Sequence, residues 1–279
     1  MAAAPSVPSE ARTYLFVPGN RPDRFGKALA SGADAVVLDL EDAVAVDAKD
    51  AARESVGKWA ADAAAADRIR CVVRINGRES SHFADDLRLV ADAGLPTVML
   101  PKAESAADAA AVRELAPHAA VLALVESARG VAQVDEVAHG PGVVRLVFGT
   151  LDYALDLDLD LDDGPDGLGY AADRLAVASR AADLAGPVAG VTPQLDDEAR
   201  LIADLAWARR RGFGAKLCIH PSQVAPIHAA LAPAPEAVAW AERVLAADAA
   251  SPGAARLDGR MIDLPVVRQA QRTLQRAGR

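Results

Sequence analysis

Eight short runs dense in Val, Ile and Leu recur along the chain, at residues 13–17, 35–41, 71–76, 97–102, 121–127, 145–150, 187–193 and 215–221. Each is almost continuously apolar up to its C-terminal end, the pattern of a strand buried on both faces. Between them lie alanine-rich stretches of helical character, among them residues 48–65, 105–115, 171–184 and 196–211. A strand that returns parallel to its predecessor needs a crossover, which these helices supply. Eight such units in a domain of about 250 residues predict an α/β fold, a closed (β/α)8 TIM barrel. An open doubly wound sheet competes, but it would usually carry fewer strands and a Gly-rich phosphate turn after the first. VPGNRPDRF is not such a turn.

Past the eighth run the pattern changes. A helix is expected near 222–232, then a proline-punctuated linker (LAPAPEAV), a helix near 236–247, a SPGAAR turn and the tail LDGRMIDLPVVRQAQRTLQRAGR. This predicts a disordered N-terminal segment at 1–11, a barrel domain at 12–232 and a C-terminal helical extension at 233–279. Met261, Ile262, Leu264, Val266 and Val267 of the tail need a surface to bury against, on their own barrel or on a neighbour's.

Composition narrows the function classes. The 279 residues are 52% hydrophobic and 25% charged with a net charge of −9, which describes a globular acidic protein. Nothing basic enough to grip nucleic-acid phosphates is present. No apolar run reaches the roughly 18–20 residues of a membrane span. MAAAPSVPSEAR lacks the basic and apolar regions of a signal peptide. Cys71 and Cys218 sit inside apolar runs, as buried free thiols of a reducing cytoplasm do. A soluble cytoplasmic protein is expected.

In a barrel the C-terminal strand ends form the active face. Here they carry Asn20, then Asp39, Glu41 and Asp42, then Arg74 and Asn76, then Lys102, Glu126, Thr150, Asp152 and His220. So many ionisable groups on one rim must pair with one another or with a ligand. Glu126 and Asp152, on adjacent strands, suit Mg2+, which takes one or two carboxylates and leaves positions for waters and substrate oxygens. Arg74 is a planar cation able to grip a substrate carboxylate at two points. With no nucleophilic Ser or Cys, this points to Lewis-acid polarisation of a keto acid. Lys102 is the candidate for a Schiff-base aldolase, but Glu41 and Glu126 would hold it charged. The acidic stretch at 156–167 fails the calcium-loop pattern, with Asp163 where Gly is needed and Gly169 where Glu is needed. His82, His118, His139 and His228 show no ligand spacing.

LFVPGNRPDRFGKA, VVLDLEDAV followed by KDAAR, VVRINGR, VMLPKAES, LVESARGV, FGTLDYALDL, KLCIHPSQ and GRMIDLPVV together resemble the citrate lyase β-subunit family, within the HpcH/HpaI aldolases, from about Arg12 to Gln271. The resemblance implies a Mg2+-dependent carbon–carbon lyase (Mn2+ being able to substitute). Its substrate would be a citryl-, malyl- or citramalyl-CoA-type 3-hydroxyacyl thioester, split into acetyl-CoA or a homologue and a 2-keto acid. On that basis Glu126 and Asp152 hold the metal, with Glu126 also beside the substrate, and Arg74 binds the substrate carboxylate. Phe16, Arg24 and Lys27 fall where relatives contact coenzyme A. Glu41 and Asp42 orient metal-bound waters. Asp263 in MIDLP resembles an acid/base that longer members donate from a neighbouring subunit, which makes the C-terminal arm an intersubunit device and a homotrimer or hexamer the expected assembly. The plainer reading of Asp263 is a helix N-cap before Pro265. Relatives carry Glu where this chain has Leu151, and Asp–aromatic–Arg where it has PQLDD, so the exact substrate stays open. Two alternatives remain: a class II pyruvate-type aldolase without CoA, whose early histidine base is missing before His82, and a non-catalytic acyl-CoA-binding subunit.

Overall fold

The computed structural model describes residues 7–161, 164–251 and 255–278. Every apolar run becomes one stave of a closed parallel barrel in sequence order, with the eighth strand pairing back onto the first. The staves are β1 (Thr13–Pro18), β2 (Ala35–Asp39), β3 (Cys71–Arg74), β4 (Thr97–Leu100), β5 (Ala120–Val125), β6 (Val143–Phe148), β7 (Val188–Ala189) and β8 (Ala215–Cys218). Helices α1 (Val7–Glu10), α2 (Pro22–Leu29), α3 (Lys49–Asp62), α4 (Ala65–Arg68), α5 (Phe83–Asp92), α6 (Ala106–Leu115) and α7 (Ala128–Ala132) accompany the first five. They are followed by α8 (Val134–Ala138), α9 (Thr150–Asp156), α10 (Gly169–Ala181), α11 (Glu198–Arg209) and α12 (Val224–Leu231). Most strands stop short of the polar ends of their runs, so those ends project past the last ladder bond and form the rim.

Inward-facing Tyr14, Val37, Val72, Met99, Val147 and Leu217 fill the barrel with packed side chains, and no pore is left. Arg145 of β6 is buried at 3% exposure. Its Nη1 donates to the carbonyl of Ala11 at 2.7 Å and to Tyr14 Oη at 3.0 Å, and its Nε donates to Gly186 O at 2.8 Å. This corrects the expectation of a disordered 1–11 segment: Val7–Glu10 form a helical turn and Ala11 is buried. The rest of that segment, residues 1–6, lies outside the described residues. So do Asp162 and Asp163 of the acidic stretch and residues 252–254 of the SPGAAR turn.

The chain divides into two compact units, the second starting at His228. That unit contains α13 (Pro235–Ala250), β9 (Ala255–Leu257), β10 (Arg260–Ile262) and α14 (Leu264–Arg276). The purely helical extension is therefore corrected by an antiparallel hairpin in which Leu257 faces Arg260 across a two-residue turn. Asp258 (φ 51°) and Gly259 (φ 78°) both lie in the left-handed region. That is what a type I′ turn demands and what the dipeptide Asp-Gly supplies. Ile262, Val267 and Ala270 bury against Ala241 and Val244 of α13 with Val266 half-buried beside them, so three of the tail's five apolar positions (Ile262, Val266 and Val267) find their surface inside this unit. Met261 and Leu264 stay exposed, at 69% and 59%.

Cys71 and Cys218 are buried free thiols, and burial pushes both well above the ordinary thiol range. Among the described residues no helix is long and apolar enough to cross a membrane.

Candidate active site

Asp39 and Arg74 are register partners at the ends of β2 and β3. Arg74 Nε donates to Asp39 Oδ1 at 2.7 Å and Nη2 to Oδ2 at 2.6 Å, a bidentate pair. The same carboxylate accepts from the backbone N–H groups of Glu41 and Ala43, at 2.9 and 3.0 Å, and so shapes the β2–α3 loop. Asp39 occupies the side edge of the guanidinium, so the expected two-point grip on a substrate would use its outer edge, Nη1 and the second Nη2 hydrogen. On that outer edge Nη1 lies 3.0 Å from Glu41 Oε2 and 3.7 Å from Asp42 Oδ2. Phe16 of β1 lies under the guanidinium, 4.9 Å from carbon to ring centroid. Burial opposes the charge on Arg74, but Asp39, Glu41 and Asp42 outweigh it and hold the group firmly protonated.

Glu41 is held from behind. Lys49, an interior residue that sequence reasoning missed, donates from Nζ to the carbonyls of Leu40 and Glu41 at 2.8 and 2.9 Å. Asn76 Nδ2 donates to Leu40 O at 2.9 Å and to Asp86 Oδ2 at 2.6 Å, so Asn76 supports the loop and does not face a ligand. Glu41 itself is 6% exposed, and its buried Oε2 has no hydrogen-bond partner. The 3.0 Å approach of Arg74 Nη1 is a charge contact whose direction makes no hydrogen bond. Burial lifts the Glu41 carboxyl to about 7 despite Arg74.

Glu126 ends β5. Its Oε1 accepts from the backbone N–H of Lys102 at 2.9 Å, and Lys102 adopts φ 52° to present that donor. Gly149 makes room on the other side: a Cβ there would stand 2.5 Å from Glu126 Cβ and Oε2. Burial raises the Glu126 carboxyl to about 8, and the charges of Glu41 and Asp152 push the same way. Asp152, in the first turn of α9, lines the same cleft of about 240 Å3 as Phe16, Asp39, Arg74 and Glu126. Lys102 Nζ lies 3.5 Å from Glu41 Oε1. Burial opposes its charge, but Glu41, Asp42 and Glu126 together raise it, so the ammonium is not a ready imine-former, as expected.

The cleft thus gathers carboxylates short of positive charge, since one edge of the Arg74 guanidinium is already committed to Asp39. Among the described residues no three His, Cys, Asp or Glu side chains are grouped closely enough to hold an ion unaided. A pair of carboxylates completed by water and substrate oxygens is the donor set that suits Mg2+. Glu126 and Asp152 fit it.

The other expected site residues fall as follows. Arg24 and Lys27 are exposed on α2. His220, whose Nδ1 accepts from Ser222 N at 3.2 Å, caps the turn after β8. Asp263 is exposed in the second unit, where Oδ1 accepts from Val266 N at 3.2 Å and caps α14.

Residues 12–221 match the HpcH/HpaI aldolase/citrate lyase family. A citrate lyase subunit beta-like protein of Mycobacterium tuberculosis is 40% identical over 269 residues, covering 95% of each chain. A (3S)-malyl-CoA thioesterase of Cereibacter sphaeroides is 33% identical over 279 residues, covering 95% of this chain and 94% of its own. The crystal structure of CitE from M. tuberculosis in complex with magnesium, acetoacetate and coenzyme A superposes with a TM-score of 0.85 at 38% identity, over 97% of this chain and 99% of that one. The protein belongs to the HpcH/HpaI aldolase/citrate lyase family of carbon–carbon lyases, and its Arg74–Asp39 pair and Glu126–Asp152 carboxylates stand at the mouth of that family's barrel.

Proposed function

We propose that this protein is a Mg2+-dependent lyase that cleaves, or forms, a 3-hydroxyacyl-CoA thioester of citryl, malyl or citramalyl type, exchanging it with acetyl-CoA or a homologue and a 2-keto acid. The observation that carries the reading is the group of carboxylates formed by buried Glu41 and Glu126 with half-buried Asp152, beside an arginine whose charge is already shared. The relative crystallised with magnesium and coenzyme A supports the same ligands here.

Glu126 and Asp152 would hold Mg2+ or Mn2+. When bound, the ion supplies Lewis-acid stabilisation of negative charge on the substrate's hydroxyl or keto oxygen. Arg74 offers the outer edge of its guanidinium to the substrate carboxylate, with its plane fixed by Asp39 and Phe16. Glu41 Oε2, buried beside Arg74 and without a hydrogen-bond partner, holds negative charge next to that guanidinium. Arg24 and Lys27 offer exposed cations to the coenzyme A phosphates. Asp263 of a second copy would protonate the carbon of the departing enolate, or take its proton in the synthetic direction. A trimer or hexamer follows from that reading, and the buried thiols support a cytoplasmic setting.

Incubation with malyl-CoA and citramalyl-CoA tests the function. The expected products are acetyl-CoA and glyoxylate or pyruvate, dependent on Mg2+ and abolished by EDTA. The thioesterase relative motivates the second reading. Free coenzyme A and hydroxy acid with no keto acid would establish that reading instead. No product of either kind would leave a non-catalytic acyl-CoA-binding subunit, and pyruvate release from free 4-hydroxy-2-keto acids, with no thioester turned over, would indicate a pyruvate-type aldolase.

The carboxyls also predict how metal binding responds to pH. Glu41 and Glu126 hold protons in the fold up to about 7 and about 8, above their ordinary 4.5. A raised carboxyl binds more protons folded than unfolded between those limits, so the metal-free fold loses stability as pH rises through that window. Mg2+ must displace those protons. The rise in Tm caused by Mg2+ is therefore expected to be larger at pH 8.5 than at pH 6.0, as differential scanning fluorimetry would show. An equal rise at both would refute the assignment.

A further inference from the structure

A second cavity of about 210 Å3 adjoins the carboxylate cleft and shares Thr150, Leu151, Gly190 and Val191 with it. Its remaining wall is largely hydrocarbon, with Phe148, Leu161, Leu168, Trp207 and Phe213 among its residues. An apolar cavity of about 150 Å3 already admits benzene and stays free of water, so this one has room for several carbons. Gly190 sets the passage between the two spaces. A Cβ there would collide with the Thr150 side chain and stand 3.0 Å from Phe148 O, so only glycine lets β7 and the start of α9 approach this closely.

The polar groups bordering the cavity are engaged with one another. Lys216 Nζ, from β8, donates to Gly190 O at 2.8 Å. Arg200 Nε donates to Asp204 Oδ1 at 2.8 Å, and Thr192 Oγ1 donates to Asp204 Oδ2 at 2.7 Å. Each of these side chains is held by a partner within the protein, so the hydrocarbon wall is the surface left to receive a ligand group.

We propose that this cavity receives an aliphatic substituent of the substrate, so that the enzyme favours 3-hydroxyacyl-CoA thioesters carrying a chain of several carbons beside the scissile bond. The inference rests on the lyase reading and names the substrate class within it. Leu151 favours it from the passage, since the residue next to Asp152 is apolar and 47% exposed, and it would line the route of such a chain. The chain can belong to the 2-keto acid half or to the acyl-CoA half.

The test is a grid of condensation rates with Mg2+ present. Glyoxylate, pyruvate, 2-oxobutanoate and 2-oxopentanoate are each paired with acetyl-, propionyl- and butyryl-CoA. Burial of one methylene in a dry pocket favours binding by about fourfold. The value of kcat/KM is expected to climb by roughly that factor per methylene along one axis, and the axis identifies the half that carries the chain. Ala208→Leu, which fills the cavity from α11, should flatten the climb while sparing the shortest pair. Ala208→Val, a smaller filling at the same position outside the carboxylate cleft, should blunt the climb in the same way if Ala208→Leu does not fold. A flat or falling series on both axes overturns the proposal. Should no pair turn over, calorimetric binding of the same keto acids and acyl-CoAs separates the two ideas. Chain-dependent affinity abolished by Ala208→Leu keeps the cavity and rejects the lyase, whereas chain-independent affinity rejects the cavity.

Discussion

If Glu126 holds the metal as proposed, replacing it by Gln is expected to cut carbon–carbon cleavage by at least about 10³-fold, through the loss of several kcal/mol of transition-state charge stabilisation. The fold should survive. Gln keeps an oxygen that accepts from Lys102 N and fits the space that Gly149 leaves beside the side chain. The wild-type carboxyl holds its proton up to about 8, so the neutral amide resembles the form the metal-free fold already prefers. The Tm of the metal-free variant should therefore equal or exceed that of the wild type at pH 8.5, while the extra stability conferred by Mg2+ disappears. Loss of activity together with a large fall in metal-free Tm would mark Glu126 as structural instead. Turnover within tenfold of wild type would remove it from the metal site.

The barrel was legible because its signal is cumulative: eight apolar runs at regular spacing leave few alternatives, and errors at single ends do not change the count. β7 shows the limit. Its run extends over 187–193, but only Val188 and Ala189 are strand. Lys216 takes up the Gly190 carbonyl, a tertiary bond that no local pattern announces. Lys216 itself was hidden for a related reason, being a charged residue inside an apolar strand run. The hairpin at 255–262 carries a turn signal in Asp258-Gly259, but each strand is only three residues long and alternation cannot be read over so few.

The rim was legible as a set of residue types, not as a wiring. Sequence places Asp39, Glu41, Asp42 and Arg74 at strand ends, but cannot say which carboxylate the arginine selects. Register decides it. Asp39 is the direct partner of Arg74 across the ladder, and the bidentate bond follows from that adjacency. The consequence is chemical, since an arginine anchored on one edge presents a fixed second edge to the cleft. Lys49 and Asn76 act one step further back, as positioning residues that grip the Leu40 and Glu41 carbonyls.

Asp263 has two roles to separate, and the choice of substitution separates them. As the N-cap of α14 it satisfies the Val266 N–H, and its loss to Ala should cost about 0.5–2 kcal/mol of helix stability. Asn caps nearly as well as Asp but cannot exchange a proton at neutral pH. Asp263→Asn is therefore expected to keep the wild-type Tm while lowering kcat by about 10²–10⁴, with little change in KM, if this carboxylate is the acid/base. A wild-type kcat in Asp263→Asn, together with a lower Tm in Asp263→Ala, would reduce the residue to its capping role. The source of the carboxylate is separable too. Subunits carrying Asp263→Asn and subunits carrying Glu126→Gln are each expected to be inactive alone. If Asp263 serves the site of a neighbouring copy, co-refolded mixtures regain a substantial fraction of activity, because some sites then pair an intact metal centre with an intact acid/base. If it serves its own chain, every site in the mixture lacks one of the two groups and no activity returns.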